Sequence, residues 1–197
     1  MKRLLSREEA FTGLEAAIVL IAFVVVAAVF SYVVLGAGFF ATQTSQQAVH
    51  TGVQQASSSF QILGDVYGVS MTPGQIDYLN FTLGLVPGGM PIDMTKVTMV
   101  FTNQSTRRDL SRLAGFNPSG PPAGQWTIAR VINSLNNPPN ELLESGEQVD
   151  IVVHLTADTG DIAPRDVFTL EIKPIVGPSL SISRTAPGGI DLVNRLY

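Results

Sequence analysis

Cysteine is absent from all 197 residues. That removes disulfides, thiolate catalysis and cysteine-bound zinc together, and leaves an extracellular location open, since disulfides are common outside cells but not obligatory. Histidine is nearly as scarce, with only His50 and His154. The sequence has no Ser/His/Asp set, no HExxH motif and no Gly-rich phosphate loop; Gly88-Gly89 and Gly188-Gly189 read as turns. Nothing here suggests an enzyme or a cofactor. Charged residues make up 14% of the chain and the net charge is −4. Lysine and arginine are scattered, so the basic footprint that nucleic acid requires is missing. The sharpest absence is local. No Asp, Glu, Lys or Arg occurs from Ala16 through Gly64.

What fills that gap is a long apolar run behind a short charged head. The head, Met1 to Ala10, holds Lys2, Arg3 and Arg7 against Glu8 and Glu9. Without it, the 12 basic and 16 acidic residues fall to 9 and 14, a net −5. Mean hydropathy is +0.27, but much of the excess lies before Ala41. Ala16 to Ala41 exceeds the roughly 20 apolar residues needed to cross a bilayer. One reading is a permanent membrane anchor, oriented with Lys2, Arg3 and Arg7 in the cytoplasm. A second is a secretory signal peptide, but the run is too long for one, and Gly36-Ala37-Gly38 makes a poor cleavage site.

A third reading rests on specific residues. Glu8-Glu9-Ala10 followed by Phe11-Thr12-Gly13-Leu14-Glu15 resembles the cleavage region of archaeal flagellins (archaellins), subunits of type IV pilin-like filaments. Leu14 to Gln43 resembles the helix of that family almost throughout, and Ser181-Ile182-Ser183-Arg184-Thr185-Ala186-Pro187 resembles its C-termini. The resemblance implies that a prepilin peptidase cuts between Ala10 and Phe11, on the cytoplasmic side. Gly13 would then be third, and Glu15 fifth, in the mature chain. Many family leaders carry Gly before the cut, so Ala10 departs from the pattern, and a cut after Gly13 is the alternative. In type IV pilins a glutamate at the position of Glu15 meets a new α-amino group during assembly; here that group belongs to Phe11. The plainer reading of Glu15 is a helix-start residue at the membrane surface, favoured by the N-terminal dipole.

Through Phe30 the run is apolar all round apart from Glu15, which implies burial on every side. Lipid can supply that before assembly and neighbouring helices afterwards. Small residues such as Ala16, Ala17, Ala27, Ala28, Gly36 and Gly38 permit close helix approach. Beyond Ala41, Val49, Val53, Ala56, Phe60 and Leu63 form a heptad-like stripe. A flexible polar linker is the rival reading of this segment. The stripe favours one helix from Phe11 to about Leu63, roughly 75–80 Å long at 1.5 Å per residue, with Gly36 and Gly38 as the likeliest bend. The expected organisation is a leader over 1–10, an assembly helix over 11–63 and a β-sandwich over 64–197.

In that last segment, short alternating runs between turn signals argue for a β-sandwich. Candidate strands are Ile76–Leu85, Val97–Thr102, Trp126–Ile132, Val149–Leu155, Val167–Lys173 and Leu180–Ser183. The resemblance adds that the sandwich is immunoglobulin-like and antiparallel, giving an α+β chain overall. Trp126 reads as core. Two sequons, Asn80-Phe81-Thr82 and Asn103-Gln104-Ser105, are glycosylation candidates in an exported protein, whereas Asn117-Pro118-Ser119 is disqualified by its proline. Asp150, Asp158, Asp161 and Asp166 form a loose acidic group. Solvated loop carboxylates explain them better than a divalent cation, and no metal site is assigned.

The resemblance therefore implies a structural subunit of the archaellum, extracellular once assembled and inserted in the membrane before that. Its partners would be copies of itself or paralogous flagellins, the prepilin peptidase, a membrane platform and a secretion ATPase. Two rivals differ in what they predict. An adhesion pilin keeps the leader and helix but binds a surface. A membrane-anchored binding module stays uncleaved and forms no filament.

Overall fold

A computed structural model describes residues 2–155 and 162–197, the side chains of 2–12, 54, 56 and 57 excepted. Helix α1 runs Lys2–Ser57, 56 residues, or about 85 Å at the α-helical rise. The first proline of the chain is Pro73, so nothing before it forbids a helix. Gly36 and Gly38 stay within the helix, each at a propensity cost of about 1 kcal/mol. Two hydroxyls beyond them bond back inside the helix: Thr42 Oγ1 donates to the Gly38 carbonyl and Thr44 Oγ1 to that of Phe40, both at 2.9 Å. Threonine thereby adds polarity while its own hydrogen bond is satisfied internally.

The helix stops at Ser57, short of the expected Leu63, and strand β1 (Phe60–Val69) begins almost at once. Phe60 and Leu63 fit a heptad stripe and a strand equally well, but their partners lie in the sheet. Phe60 faces Leu85 and Ile62 faces Leu83 across β2 (Tyr78–Leu85). Phe60 and Val66 are buried in the core. Gly64 sits at φ +86°, a left-handed conformation that glycine adopts without strain, at the point where the β1–β2 register shifts. The expected boundary at 63/64 thus falls inside a strand.

After β2 come β3 (Ile92–Asp93), a 3-10 turn (Met94–Lys96), β4 (Thr98–Asn103), β5 (Arg107–Phe116) and β6 (Gln125–Ile132). They are followed by β7 (Leu142–Leu143), β8 (Gln148–His154), β9 (Val167–Lys173), β10 (Leu180–Thr185) and β11 (Val193–Leu196). Nine of these strands form one sheet in the order β10-β9-β4-β5-β6-β8-β2-β1-β11, and β3 pairs with β7 beside it. All six candidate strands are present, with ends shifted by a few residues; β1, β5 and β11 and the short pair β3/β7 are additional.

The pairing is antiparallel with one exception, which corrects the antiparallel expectation. The first half of β5 pairs antiparallel with β4, Met99 opposite Leu110, and the second half pairs parallel with β6, Ser111 opposite Gln125. One strand therefore passes from one half of the sheet to the other. The return path is short because residues 117–124 turn back along β5, with Gly120 and Gly124 at φ +88° and +73°. Arg112 anchors this crossing. Its guanidinium pairs with Glu141 and lies 5.6 Å from the Trp126 ring centre, while Glu141 also accepts from the Gly115 N–H at 3.0 Å.

Both halves of the sheet feed a single core. Leu83, Trp126, Ile128 and Ile151 come from one half, Phe101, Phe168, Leu170 and Ile172 from the other. All are at most 1% exposed, so Trp126 is core as expected. At one end the outer strands meet: Thr185 N–H donates to the Tyr197 carbonyl at 2.7 Å and Tyr197 N–H to that of Thr185 at 3.4 Å. The chain divides into two compact units, Met1–Thr51 and Gly52–Tyr197.

Candidate functional site: the apolar helix and the β-domain surface

Every described side chain from Gly13 to Val53 is exposed. That stretch of 41 residues reaches a mean hydropathy of 3.0 over its most apolar window and is long enough to cross a membrane. The exposure is not confined to one stripe. Consecutive residues Val24, Val25 and Val26 are 58%, 55% and 67% exposed, and consecutive residues point about 100° apart around a helix. Apolar surface on this scale is not stable in water alone. It needs lipid, other helices, or each in turn.

The residues singled out at the helix start are simple in geometry. Ala10 and Phe11 lie within the helical backbone, as do Gly13 and Glu15. Nothing comes within 4 Å of a side chain built on Gly13, and the same holds for Gly36, Gly38 and Gly52. These positions leave room for another backbone. Glu15 is exposed and is the lone charged one among the described side chains before Asp65.

On the β-domain the two sequons separate. Asn103 ends β4 in the tight turn to β5, where its Oδ1 accepts from the Ser105 and Thr106 N–H groups at 2.9 and 2.7 Å. Asn80 sits mid-strand in β2, opposite Tyr67 on one side and Val152 on the other. Its Oδ1 is buried without a hydrogen-bond partner, and the residue is one of those lining a groove of about 520 Å³. The Thr82 hydroxyl of the same sequon is engaged by Asp150 at 2.7 Å. Nothing in the two tripeptides distinguishes them; only the turn and the strand do.

Of the acidic group, two members can be placed. Asp150 is on β8, paired with Arg130, and Asp166 accepts from the Ala163 N–H at 3.1 Å. Asp158 and Asp161 lie outside the described residues. Among the described residues no three His or acidic side chains are placed to share a metal ion. His50 is exposed on the helix. His154 stacks on Tyr78 at 4.1 Å between ring centres, and its Nδ1 lies 2.9 Å from the Pro121 carbonyl.

One feature was invisible in the sequence. Where the chain leaves the helix, Ser58 is buried beneath Gly177 of the β9–β10 loop. Gly177 has φ +103°, and a Cβ there would lie 1.8 Å from the Ser58 carbonyl oxygen. Only glycine lets the two backbones meet so closely. On the other side the Val86 N–H donates to the Ser59 carbonyl at 3.1 Å.

Comparison with known proteins agrees with this architecture over nearly its whole length. Residues 10–184 match the model of the archaeal-type flagellin family. Probable flagellin 1 of Archaeoglobus fulgidus is 44% identical over 195 residues, which is 96% of this chain and 95% of that one. The 24 kDa flagellin of Methanospirillum hungatei is 94% identical over 32 residues, 16% of this chain and 100% of that sequence. Among solved structures, the archaeal flagellum of Methanospirillum hungatei strain JF1 matches with a TM-score of 0.68 and 34% identity, covering 93% of this chain and 98% of that one. Flagellin FlaB1 from Methanocaldococcus jannaschii shares the fold, with a TM-score of 0.54 at 17% identity over 70% of this chain and 95% of that one. An apolar helix exposed on all sides, a sheet-rich C-terminal domain and matches at this coverage have one common assignment: the chain belongs to the archaeal-type flagellin family.

Proposed function

We propose that this chain is a structural subunit of an archaellum, the filament of swimming archaea, and that its activity is mechanical. The observation that carries this is the helix. Its apolar surface is complete around the circumference, so a lone subunit in water is unstable, and packing against like helices removes that surface from water. Likeness to a chain of a solved archaeal flagellum over 93% of the sequence supports it.

Before assembly the helix rests in the membrane, with Lys2, Arg3 and Arg7 in the cytoplasm. A prepilin peptidase removes residues 1–10 by cutting between Ala10 and Phe11. The cut deletes the charged head and creates an α-amino group near Glu15. Pairing of Glu15 with that group, on its own chain or a neighbour's, neutralises a carboxylate that is otherwise costly in an apolar setting. A membrane platform and secretion ATPase add subunits, copies of this chain or paralogous flagellins, and the β-domain then faces the medium. Asn103, presented on a turn, is the favoured glycan acceptor; Asn80, held mid-strand, is not.

Deleting the coding sequence tests the reading. Loss of surface filaments and of swimming, restored by the intact chain, is the expected result. Swimming retained while attachment to surfaces is lost would overturn it in favour of an adhesion pilin.

A further inference from the structure

Among the described residues of the β-domain, eight of the twelve large apolar side chains that are exposed gather at two opposite ends of β1. At the helix-exit end are Ile175 and Val176 of the β9–β10 loop, 66% and 49% exposed, with Val86 and Met90 at 38% and 42%. These two loops meet at Ser58-Ser59, through the Gly177 contact and the Val86 hydrogen bond. At the far end are Met71 and Leu192, 70% and 69% exposed, with Val193 at 57% and Tyr67 at 42%. Pairing holds this second group together: Val69 faces Val193, and the Ser70 N–H donates to the Leu192 carbonyl at 3.0 Å. Strand β1, ten residues long or about 30 Å, runs from one group to the other.

We infer that the two patches are the two halves of one head-to-tail contact, the far-end patch of one β-domain seating on the helix-exit patch of a second copy of this chain. The inference rests on the filament reading, which supplies the occupant. A filament that grows without closing joins its subunits through heterologous contacts, in which two different surfaces of the same molecule meet. This domain carries two such surfaces, both apolar and at opposite ends of one strand. Like-charged domains need an attractive term to lie side by side, and these patches supply it through burial. Of the charged groups around the far-end patch, Asp77 is held by the Met71 N–H, Arg195 and Asp65 are paired with each other at 3.0 Å, and Asp191, exposed beside Leu192, lies at its edge, where it can stay in water.

The absence of cysteine makes a direct test clean. Leu192→Cys and Ile175→Cys are introduced together in the full chain, and fibres sheared from cells are treated with a short bis-maleimide. A ladder of dimers, trimers and higher species is expected, with monomer alone from either single variant. A control pair, Ile175→Cys with Leu135→Cys in the β6–β7 loop, should give monomer. No ladder in fibres of normal yield, or an equal ladder from the control, overturns the contact. As a second measurement, Leu192→Lys should lower the temperature at which fibres dissociate while Leu135→Lys leaves it unchanged; a Leu192→Lys fibre as stable as the native one also overturns it. A native chain that never enters fibres would instead defeat the filament reading itself.

Discussion

Asp77 illustrates how single side chains hold the β-domain. The residue is 6% exposed, and its carboxylate closes the loop between β1 and β2, accepting from the Met71 and Thr72 N–H groups and from Gln75 Nε2. Burial pushes this carboxyl up, but the hydrogen bonds from Gln75, Met71 and Thr72 together outweigh it and hold it below its ordinary value. The sign of the consequence follows. A carboxyl depressed in the folded state contributes stability that is present above its unfolded pKa and lost as pH falls through the folded one. Thermal melts of the purified chain in detergent should therefore be insensitive to Asp77 ionisation above about pH 5 and lose stability progressively below about pH 4. Asp77→Asn should melt lower at neutral pH and show a flatter acid response. An unchanged acid response in that variant would assign the effect to other carboxylates. At this scale the sequence was only partly legible: Trp126 could be read as core from its type alone, but Asp77 is one acidic residue among many. Its role depends on a loop geometry that no local pattern encodes, and the same is true of Gly177 against Ser58.

At the scale of elements, legibility followed the simplicity of the environment. The helix faces one kind of surrounding on every side, so its composition is nearly enough to describe it. Strands β8 and β9 face core and solvent by turns, and their alternation is plain. The failures lie where one segment serves two partners. Phe60 and Leu63 satisfy two periods at once, and the sheet wins because β2 offers them backbone partners, Leu85 opposite Phe60 and Thr82 opposite Leu63. Strand β5 reads Arg-Arg-Asp-Leu-Ser-Arg-Leu-Ala-Gly-Phe, without alternation, because it changes neighbours midway from β4 to β6. A test of the helix follows from its lack of charge. Val25→Asp places a carboxylate in the middle of the apolar run, which costs about 2.5–3.5 kcal/mol on insertion scales, whereas Val25→Leu changes little. Cell fractionation should find the Asp variant depleted from both membrane and fibres, and the Leu variant in both. Full incorporation of the Asp variant would contradict a helix buried on every side.

For the whole molecule, the two units have different tasks and different kinds of sequence. Residues before Thr51 present surface that must be covered by something else; residues after Gly52 bury their own core and leave limited apolar ground exposed, most of it at two ends of β1. The family and the architecture could be read from the first part and the C-terminal motif. The outer patches could not, because exposed valines and leucines look like core residues until the sheet shows which way they face. The central claim is that a membrane-stored precursor is cut at the head and built into a fibre. The most direct test is the intact mass and N-terminal sequence of the protein from fibres sheared off the cell surface. The account predicts a chain that begins at Phe11. A chain that still begins at Met1, found in the membrane fraction and absent from fibres, would contradict it.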